Sequence, residues 1–260
     1  MVTEAFASQR AGMATILAFF LAVYAVYIVL ARPAQRVLLL GASWLFYAGW
    51  DWRFLSLLWI STAVDFFVGR QLEELDERGA PDRVRRRWLW VSLVTNLGIL
   101  GFFKYYGFFV DSAADLLQLV GLKANVPTLE IILPVGISFY TFQTMAYTID
   151  VYRRKMPAVR ELSLFALYVS YFPQLVAGPI ERPQTLIPQL AEPKKVNPEM
   201  LRTGLLLIFL GLVRKVGIAD VVAPMVDKCF DHPGNRSSWT IFFGVILFAI
   251  QIYGDFSGYS

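Results

Sequence analysis

The chain has 260 residues, of which 57% are hydrophobic and only 17% charged, whereas a soluble domain has about 45–50% apolar and about 25% charged residues. Its 21 Phe, 12 Tyr and 7 Trp suit a bilayer protein with aromatic side chains at the interfaces. The net charge of +4 is spread between apolar runs, which reads as membrane topology and speaks against nucleic-acid binding; the single cysteine, Cys229, excludes an internal disulfide.

A helix needs about 20 apolar residues to cross a 30 Å hydrocarbon core. The first run, Gly12–Ala31, meets that length and exceeds the 7–15 residues or so of a signal-peptide core, so it is a retained span. Val37–Trp50 is shorter and ends in the interfacial pair Trp50 and Trp52. Phe54–Gly69 is apolar except for Asp65. Residues 70–87 form a charged cytoplasmic loop. Trp88–Phe103 follows and ends at Lys104. Residues 105–122 mix apolar positions with Asp111, Asp115 and Gln118, which predicts an interfacial helix. Ile131–Ile149 and Leu162–Ile180 are long but rich in Pro, Gly, Gln and hydroxyls; Leu201–Val213 is short and runs into Arg214 and Lys215; Trp239–Tyr259 closes the chain. The pattern predicts an all-α polytopic transmembrane bundle, with residues 1–260 as one transmembrane domain.

Basic residues follow alternate spans: Arg32 and Arg36, then Arg70, Arg78, Arg83, Arg85, Arg86 and Arg87, then Arg153, Arg154, Lys155 and Arg160. The three groups share the cytoplasmic side if the N-terminus lies outside and residues 105–122 lie at the outer surface. Pro173, Gly178 and Pro179 interrupt Leu162–Ile180. A re-entrant segment and a Pro-kinked helix both fit.

Polar groups at membrane depth are functional candidates: Asp65, Lys104, Gln143, Gln174, Gln251 and Asp255. For Asp65 and Lys104 the plain account is snorkelling or a structural ion pair. In Ile131–Asp150, Ser138, Thr141 and Thr148 share one helical face and Tyr140, Gln143, Thr144 and Tyr147 another. No lipid-facing stripe remains, so this helix is expected inside the bundle; interhelical hydrogen bonding and a lined tunnel both fit. Gln251, Asp255 and Tyr259 recur at four-residue spacing and share a face. Asp255, between Gly254 and Gly258, fits a base orienter, an ion ligand or a helix cap. The one histidine, His232, sits in Asp-His-Pro-Gly-Asn, a turn sequence that makes it a surface residue. No metal site is expected, and no catalytic constellation is complete in this chain.

Five stretches, in order, resemble the membrane-bound O-acyltransferase family, in its alginate O-acetyltransferase-like branch: GFFKYYGFF (101–109), ILPVGISFYTFQTMAYTIDVYRR (132–154), YFPQLVAGPIERP (171–183), LGLVRKVGIAD (210–220) and QIYGDFSGYS (251–260). The resemblance implies the front half of a helix ring around a central tunnel in a bacterial inner membrane. It implies transfer of an acetyl group toward extracytoplasmic polysaccharide hydroxyls, with no bound cofactor and with acetyl-CoA or a carrier-linked acyl group as donor. Implied partners are membrane lipid, the polysaccharide acceptor and extracytoplasmic polysaccharide-modifying proteins. The family's catalytic histidine follows the DFSGYS-like segment, so it is expected beyond Ser260, and residues 1–260 alone are expected to be inactive, as a fragment or a truncated protein. Asp255, Gln251, Tyr259, Gln143, Tyr140, Gln174 and Lys104 are the expected tunnel or active-site lining, and Pro173, Gly178 and Pro179 would shape the backbone there. Transfer of D-alanyl or another acyl group, a transporter or channel subunit, and a non-catalytic scaffold stand as alternatives.

Overall fold

A computed structural model describes residues 2–119, 133–134, 136–175, 178–192, 196–231 and 236–259, with side chains from Thr15 onward, Arg32 excepted. The elements are α1 (Val2–Val29), α2 (Arg32–Glu77), α3 (Asp82–Leu119), α4 (Ile137–Tyr152), α5 (Leu162–Ser170), α6 (Phe172–Leu175), α7 (Pro183–Ala191), α8 (Pro198–Leu212), a π-helical segment (Val213–Ala219), α9 (Asp220–Phe230) and α10 (Ser238–Tyr259). The all-α class is therefore as the apolar runs predict. Among the described residues, three helices are long and apolar enough to cross a membrane: Pro33–Glu77, Asp82–Leu119 and Ser238–Tyr259. Thr15–Val29 and Leu162–Leu175 are shorter apolar helices. Where the sequence suggests one domain, the chain divides into two compact units, Met1–Val176 with Ile180–Pro193, and Ala177–Pro179 with Lys194–Ser260.

In the first unit, α2 combines two of the predicted spans. Fifteen residues of straight helix cover about 22 Å, yet the rings of Trp44 and Trp59 lie 5.4 Å apart, so the chain folds back on itself between them. The turning point is Asp51, whose backbone is extended (φ −159°, ψ 111°). Its carboxylate accepts the Arg53 backbone N–H at 3.0 Å, which is how an N-cap starts a new helix. Each arm of α2 has about the length that a 30 Å hydrocarbon core requires.

Residues 70–87 are helical at both ends: α2 runs to Glu77 and α3 starts at Asp82. Only a short turn remains of the expected loop. Two features carry α2 through its charged end. Arg78 pairs with Glu74 at 2.5 Å, one turn back. Gly79, at φ +63°, lets its own N–H reach the Asp76 carbonyl and the Ala80 N–H reach the Leu75 carbonyl, which closes the helix with a Schellman motif. Residues 105–119 likewise do not form a separate helix. α3 continues unbroken past Lys104 to Leu119, because Gly107 alone costs a helix only about 1 kcal/mol. Residues 120–122 of that expected element lie outside the described residues.

α4 is buried on most of its circumference, from Ile137 and Tyr140 to Thr148 and Val151, as its lack of a lipid-facing stripe predicts. It packs between α2 and α3, and α5 packs along α2. The core joins Leu58, Leu72, Tyr147, Phe165 and Tyr168. α5 stops at Tyr171 (φ −54°, ψ 104°), since Pro173 has no N–H with which to continue the ladder. The short α6 is held by Phe172, whose ring meets Phe19 at 5.2 Å and Phe46 at 5.6 Å, and whose N–H donates to Ser43 Oγ at 3.2 Å. Ion pairs gather the three basic segments at one end of this unit: Arg36 meets Glu161 at 2.7 Å, and Arg154 meets Asp76 at 2.7 Å. There the buried Arg85 donates to the Tyr152 carbonyl at 2.7 Å.

In the second unit, Asn197 caps α8 by accepting the Met200 N–H at 2.7 Å. α10 lies against α8, the π-helical segment and α9 through glycines. A Cβ on Gly211 would stand 2.5 Å from the Gly258 carbonyl oxygen, one on Gly244 2.7 Å from Cys229 Cβ, and one on Gly254 3.0 Å from Ala219 Cβ. Small residues of this kind let membrane helices approach backbone to backbone.

Candidate functional site

Two groups of membrane-depth polar residues emerge, one in each unit. The first is built from three pairs at four-residue spacing: Ser61 and Asp65 on α2, Ser92 and Asn96 on α3, Thr144 and Thr148 on α4. That spacing puts each pair on one helical face, and the three faces meet. The Asp65 carboxylate is fully buried. Its Oδ1 accepts from the Ser92 hydroxyl and from Thr148 Oγ1 at 2.9 Å. Its Oδ2 accepts from Asn96 Nδ2 at 2.7 Å. Asn96 Nδ2 also donates to the Ser92 carbonyl at 3.0 Å, and Asn96 Oδ1 accepts from Ser61 Oγ at 2.5 Å. Thr144 Oγ1 donates to the Thr141 carbonyl at 3.1 Å and lies 3.3 Å from Ser61 Oγ. Asp65 therefore does not snorkel, and among the described residues it forms no ion pair. It is held by neutral donors from α3 and α4.

The expected lining residues of α4 engage their neighbours. Gln143 Nε2 donates to the Tyr168 carbonyl at 2.7 Å, and Tyr168 Oη donates to the Gln143 carbonyl at 3.3 Å, which ties α4 to α5. Tyr140 is fully buried and interacts through its hydroxyl with Tyr47 on α2. Gln174 is buried in α6, and the ring of Pro173 beside it is exposed. Lys104 is exposed, with Nζ 3.4 Å from Ser138 Oγ and 5.5 Å over the Tyr105 ring. At the basic end of this unit, a cavity of about 280 Å³ is lined by Leu72, Glu73, Arg154 and Met156 among others. None of the expected lining residues borders it.

The second group centres on Lys215 in the π-helical segment. Its Nζ lies 2.6 Å from Asp255 Oδ1 and 2.8 Å from Asp220 Oδ1. A π turn bonds residues five apart, and the Asp220 N–H does bond to the Lys215 carbonyl, which brings the Asp220 carboxylate beside the ammonium. Lys215 Nζ also lies 5.9 Å from the Tyr259 ring centroid, and Arg214 Nη1 donates to the Ser257 carbonyl at 3.3 Å. Gln251 is half-buried one turn before Asp255, Gly178 is buried and Pro179 exposed. Of the roles open to Asp255, the structure gives it a cationic partner. The stretches LGLVRKVGIAD and QIYGDFSGYS thus meet, at the Gly211–Gly258 approach and at the Lys215–Asp255 pair.

Sequence reasoning did not single out Lys215, Asp220, Ser61, Ser92 or Asn96. The signal for the last three was the repeated four-residue spacing. For Lys215 it was a basic residue ending an apolar run with an aspartate five positions on. His232 lies outside the described residues. Among the described residues, no cluster of three or more His, Cys, Asp or Glu could hold a metal ion.

No protein-family model and no solved structure matches the chain. It is 38% identical over 228 residues to the probable alginate O-acetylase of Pseudomonas aeruginosa, covering 87% of this chain and 42% of that protein. With the probable alginate O-acetylase of Azotobacter vinelandii it again shares 38% identity over 228 residues, covering 44% of that protein. The peptidoglycan O-acetyltransferase of Helicobacter pylori is 34% identical over 250 residues, which cover 86% of this chain and 46% of that protein. The chain spans less than half the length of these relatives. It is homologous over most of its own length to the alginate O-acetylase-like branch of the membrane-bound O-acyltransferases, the family its five motifs resemble.

Proposed function

We propose that the whole protein to which these residues belong is a membrane O-acetyltransferase. It moves an acetyl group across the bacterial inner membrane to a hydroxyl of an extracytoplasmic polysaccharide. The observation that carries this reading is the 34–38% identity to proteins named for acetylating alginate and peptidoglycan. The donor is acetyl-CoA or a carrier-linked acetyl group arriving from the cytoplasm, and proteins outside the membrane complete delivery to the polymer. The end carrying Arg36, Arg78, Arg85 and Arg154 faces the cytoplasm, as the positive-inside rule requires, and residues 105–119 of α3 lie toward the outer surface.

Acetyl transfer needs a base to take the proton from the attacking hydroxyl and donors to stabilise the oxyanion that develops. The base is carried by a residue beyond Ser260, and residues 1–260 supply the scaffold and the positioning groups. Asp255 is the foremost of these. Support comes from its place on α10, where glycine contacts fix the backbone, and from Lys215, which fixes the carboxylate from a π-helical turn, a feature frequent at functional sites. In this reading Asp255 orients the base.

The test is Asp255→Ala in the whole protein, with ester-linked acetate on the secreted polymer and the amount of inserted protein measured together. Acetate should fall by about 10²-fold, the lower end of what a positioned acid–base group contributes, with insertion unchanged. Wild-type acetylation in that variant removes Asp255 from the site. Acetyl transfer by residues 1–260 alone would show that they already hold the base. Substrate flux through liposomes without any acyl donor would favour a transporter.

A further inference from the structure

One carboxylate is enough to neutralise an ammonium, yet Lys215 holds two. We infer that Asp220 is a positioning residue for the acetyl transfer: by sharing Lys215 with Asp255, it leaves the cluster with one negative charge in excess, which strengthens the hold of Asp255 on the base. The inference rests on the reading above, in which Asp255 orients that base, and extends it to Asp220.

The geometry is set at the level of the backbone. A Cβ on Gly258 would stand 3.1 Å from both Cβ and N of Lys215, and one on Gly254 3.2 Å from the Arg214 carbonyl oxygen. α10 therefore lies directly on the π-helical segment. Lys215 Nζ is 2.6 Å from Asp255 Oδ1 and 2.8 Å from Asp220 Oδ1. The π turn delivers the second of these carboxylates, since an α-helix places residues five apart on different faces. It thus keeps a like charge beside Asp255 that an ordinary helix would carry away. Asp255 meets Lys215 through Oδ1 alone. Among the described residues its Oδ2 has no partner, and the side chain is 30% exposed. That oxygen is the one open to a group outside the cluster.

Few other charges bear on the three residues. α8 carries none between Arg202 and its end at Leu212. Arg214 is exposed, with Nη1 donating to the Ser257 carbonyl at 3.3 Å. From α10 comes Tyr259, whose ring centroid is 5.9 Å from Lys215 Nζ. Asp227 and Lys228 follow two turns further along α9. In the transfer, the attacking hydroxyl gives its proton to the base while its oxygen bonds to the acetyl carbon, and the donor's leaving group departs with the electron pair. The base gains positive charge at that moment, and a net negative cluster beside it favours the change. With Asp220 neutral, the ammonium belongs wholly to Asp255. The base then holds a proton less tightly, so it works at lower pH but pulls more weakly.

The test follows acetate from radiolabelled acetyl-CoA onto the polymer in permeabilised membranes containing the whole protein. Cytosol is present so that a carrier can be loaded, and rates are taken per inserted protein across the pH range. Asp220→Asn should lower the plateau by about threefold to tenfold and move the midpoint of the acid limb down by about half a pH unit. Asp220→Glu, which restores the charge, should return both toward the wild type. If Asp220→Asn does not insert, Asp220→Ser, neutral and smaller, takes its place with the same expectation. A plateau that falls while the midpoint stays overturns the inference, because a purely structural ion pair predicts that result. An unchanged profile in the neutral variant overturns it, as does a loss in Asp220→Glu equal to that in Asp220→Asn. Failure of both neutral variants to insert makes Asp220 a folding residue and overturns it too. Asp255→Ala, run alongside, separates the two readings. If it loses transfer while the Asp220 profiles do not move, the role of Asp220 alone falls; if it transfers like the wild type, the role of Asp255 falls and takes this inference with it.

Discussion

The two units each hold an aspartate in an apolar setting, and they satisfy it in opposite ways. Asp65 is sealed from solvent and held by three uncharged donors. Asp255 is partly open, with 30% of its side chain accessible, and is held by a single ammonium. Neutral donors on α3 and α4 clamp these helices to α2, because losing the carboxylate orphans two groups on α3 and another on α4. A lone lysine shared between Asp220 and Asp255 makes a pointing device, because the ammonium keeps one partner when the other goes. A clamp matters to stability and a pointer to chemistry. This is why Asp255, and not the more deeply buried Asp65, is the better candidate for the reaction.

The widest separation between the two should appear when each aspartate is replaced by alanine in the whole protein. Asp65→Ala leaves the Ser92 and Thr148 hydroxyls and one N–H of the Asn96 amide without an acceptor, and a buried unpaired polar group costs about 1–3 kcal/mol. The sum, with relaxation, should come to about 4 kcal/mol. Asp255→Ala leaves Lys215 paired with Asp220 at 2.8 Å and should cost about 1 kcal/mol. Unfolding temperatures in detergent rank the two. Equal losses would erase the distinction between clamp and pointer. A larger loss for Asp255→Ala would reverse it.

The distinction sharpens at the glycine contacts that set where the pointer stands. Gly211→Ala puts a methyl group 2.5 Å from the Gly258 carbonyl oxygen. That neighbour is backbone, so α8 and α10 must separate. Overpacking of this kind costs about 1–3 kcal/mol, and it moves Lys215 relative to Asp255. Polymer acetylation should therefore fall by more than the loss of folded protein explains. Acetylation that simply tracks the amount of folded protein would mean that the exact spacing of α8 and α10 does not matter to the reaction.

Much of this was legible in the sequence, for a plain physical reason. Apolar run length reports helix length, so Val37–Trp50 and Phe54–Gly69 fall in the two arms of α2 that turn at Asp51, Trp88–Phe103 falls in α3 and Trp239–Tyr259 in α10, whereas Leu162–Ile180 breaks at Tyr171 into α5 and α6. The buried character of α4 was legible because polar and apolar positions alternate around its whole circumference. Helix ends were harder to read. Residues 70–87 look like a loop by charge, yet Glu, Arg and Leu are good helix formers, and the turn needs only Gly79 and its neighbours. The pairing of polar groups was hardest, because it depends on which helices are adjacent. Spacing shows that Ser61 and Asp65 share a face; it does not show that Ser92, Asn96 and Thr148 lie opposite. Lys215 escaped for a related reason: its contact with Asp220 arises from a π turn, and α-helical periodicity places residues five apart on different faces.

The smallest effect separates two helix ends in the first unit that share one geometry. Gly79 ends α2 and Arg154 ends α4, both in the left-handed region, at φ +63° and +59°. At each, the N–H groups of this residue and the next bond back to the helix: Gly79 to Asp76 and Ala80 to Leu75, Arg154 to Val151 and Lys155 to Asp150. Glycine adopts this conformation freely, and other L-residues pay roughly 1 kcal/mol. Arg154 offsets that strain with its ion pair to Asp76, a small contribution at an exposed site. Arg154→Gly should therefore be close to neutral, since strain and ion pair vanish together, whereas Gly79→Ala should cost about 1 kcal/mol with nothing to offset it. Thermal unfolding of the two variants side by side measures the difference. A larger loss for Arg154→Gly than for Gly79→Ala would exceed what an exposed pair supplies, and would show that Asp76, Asp82, Arg85 and Arg154 act together as a network that closes this end of the bundle.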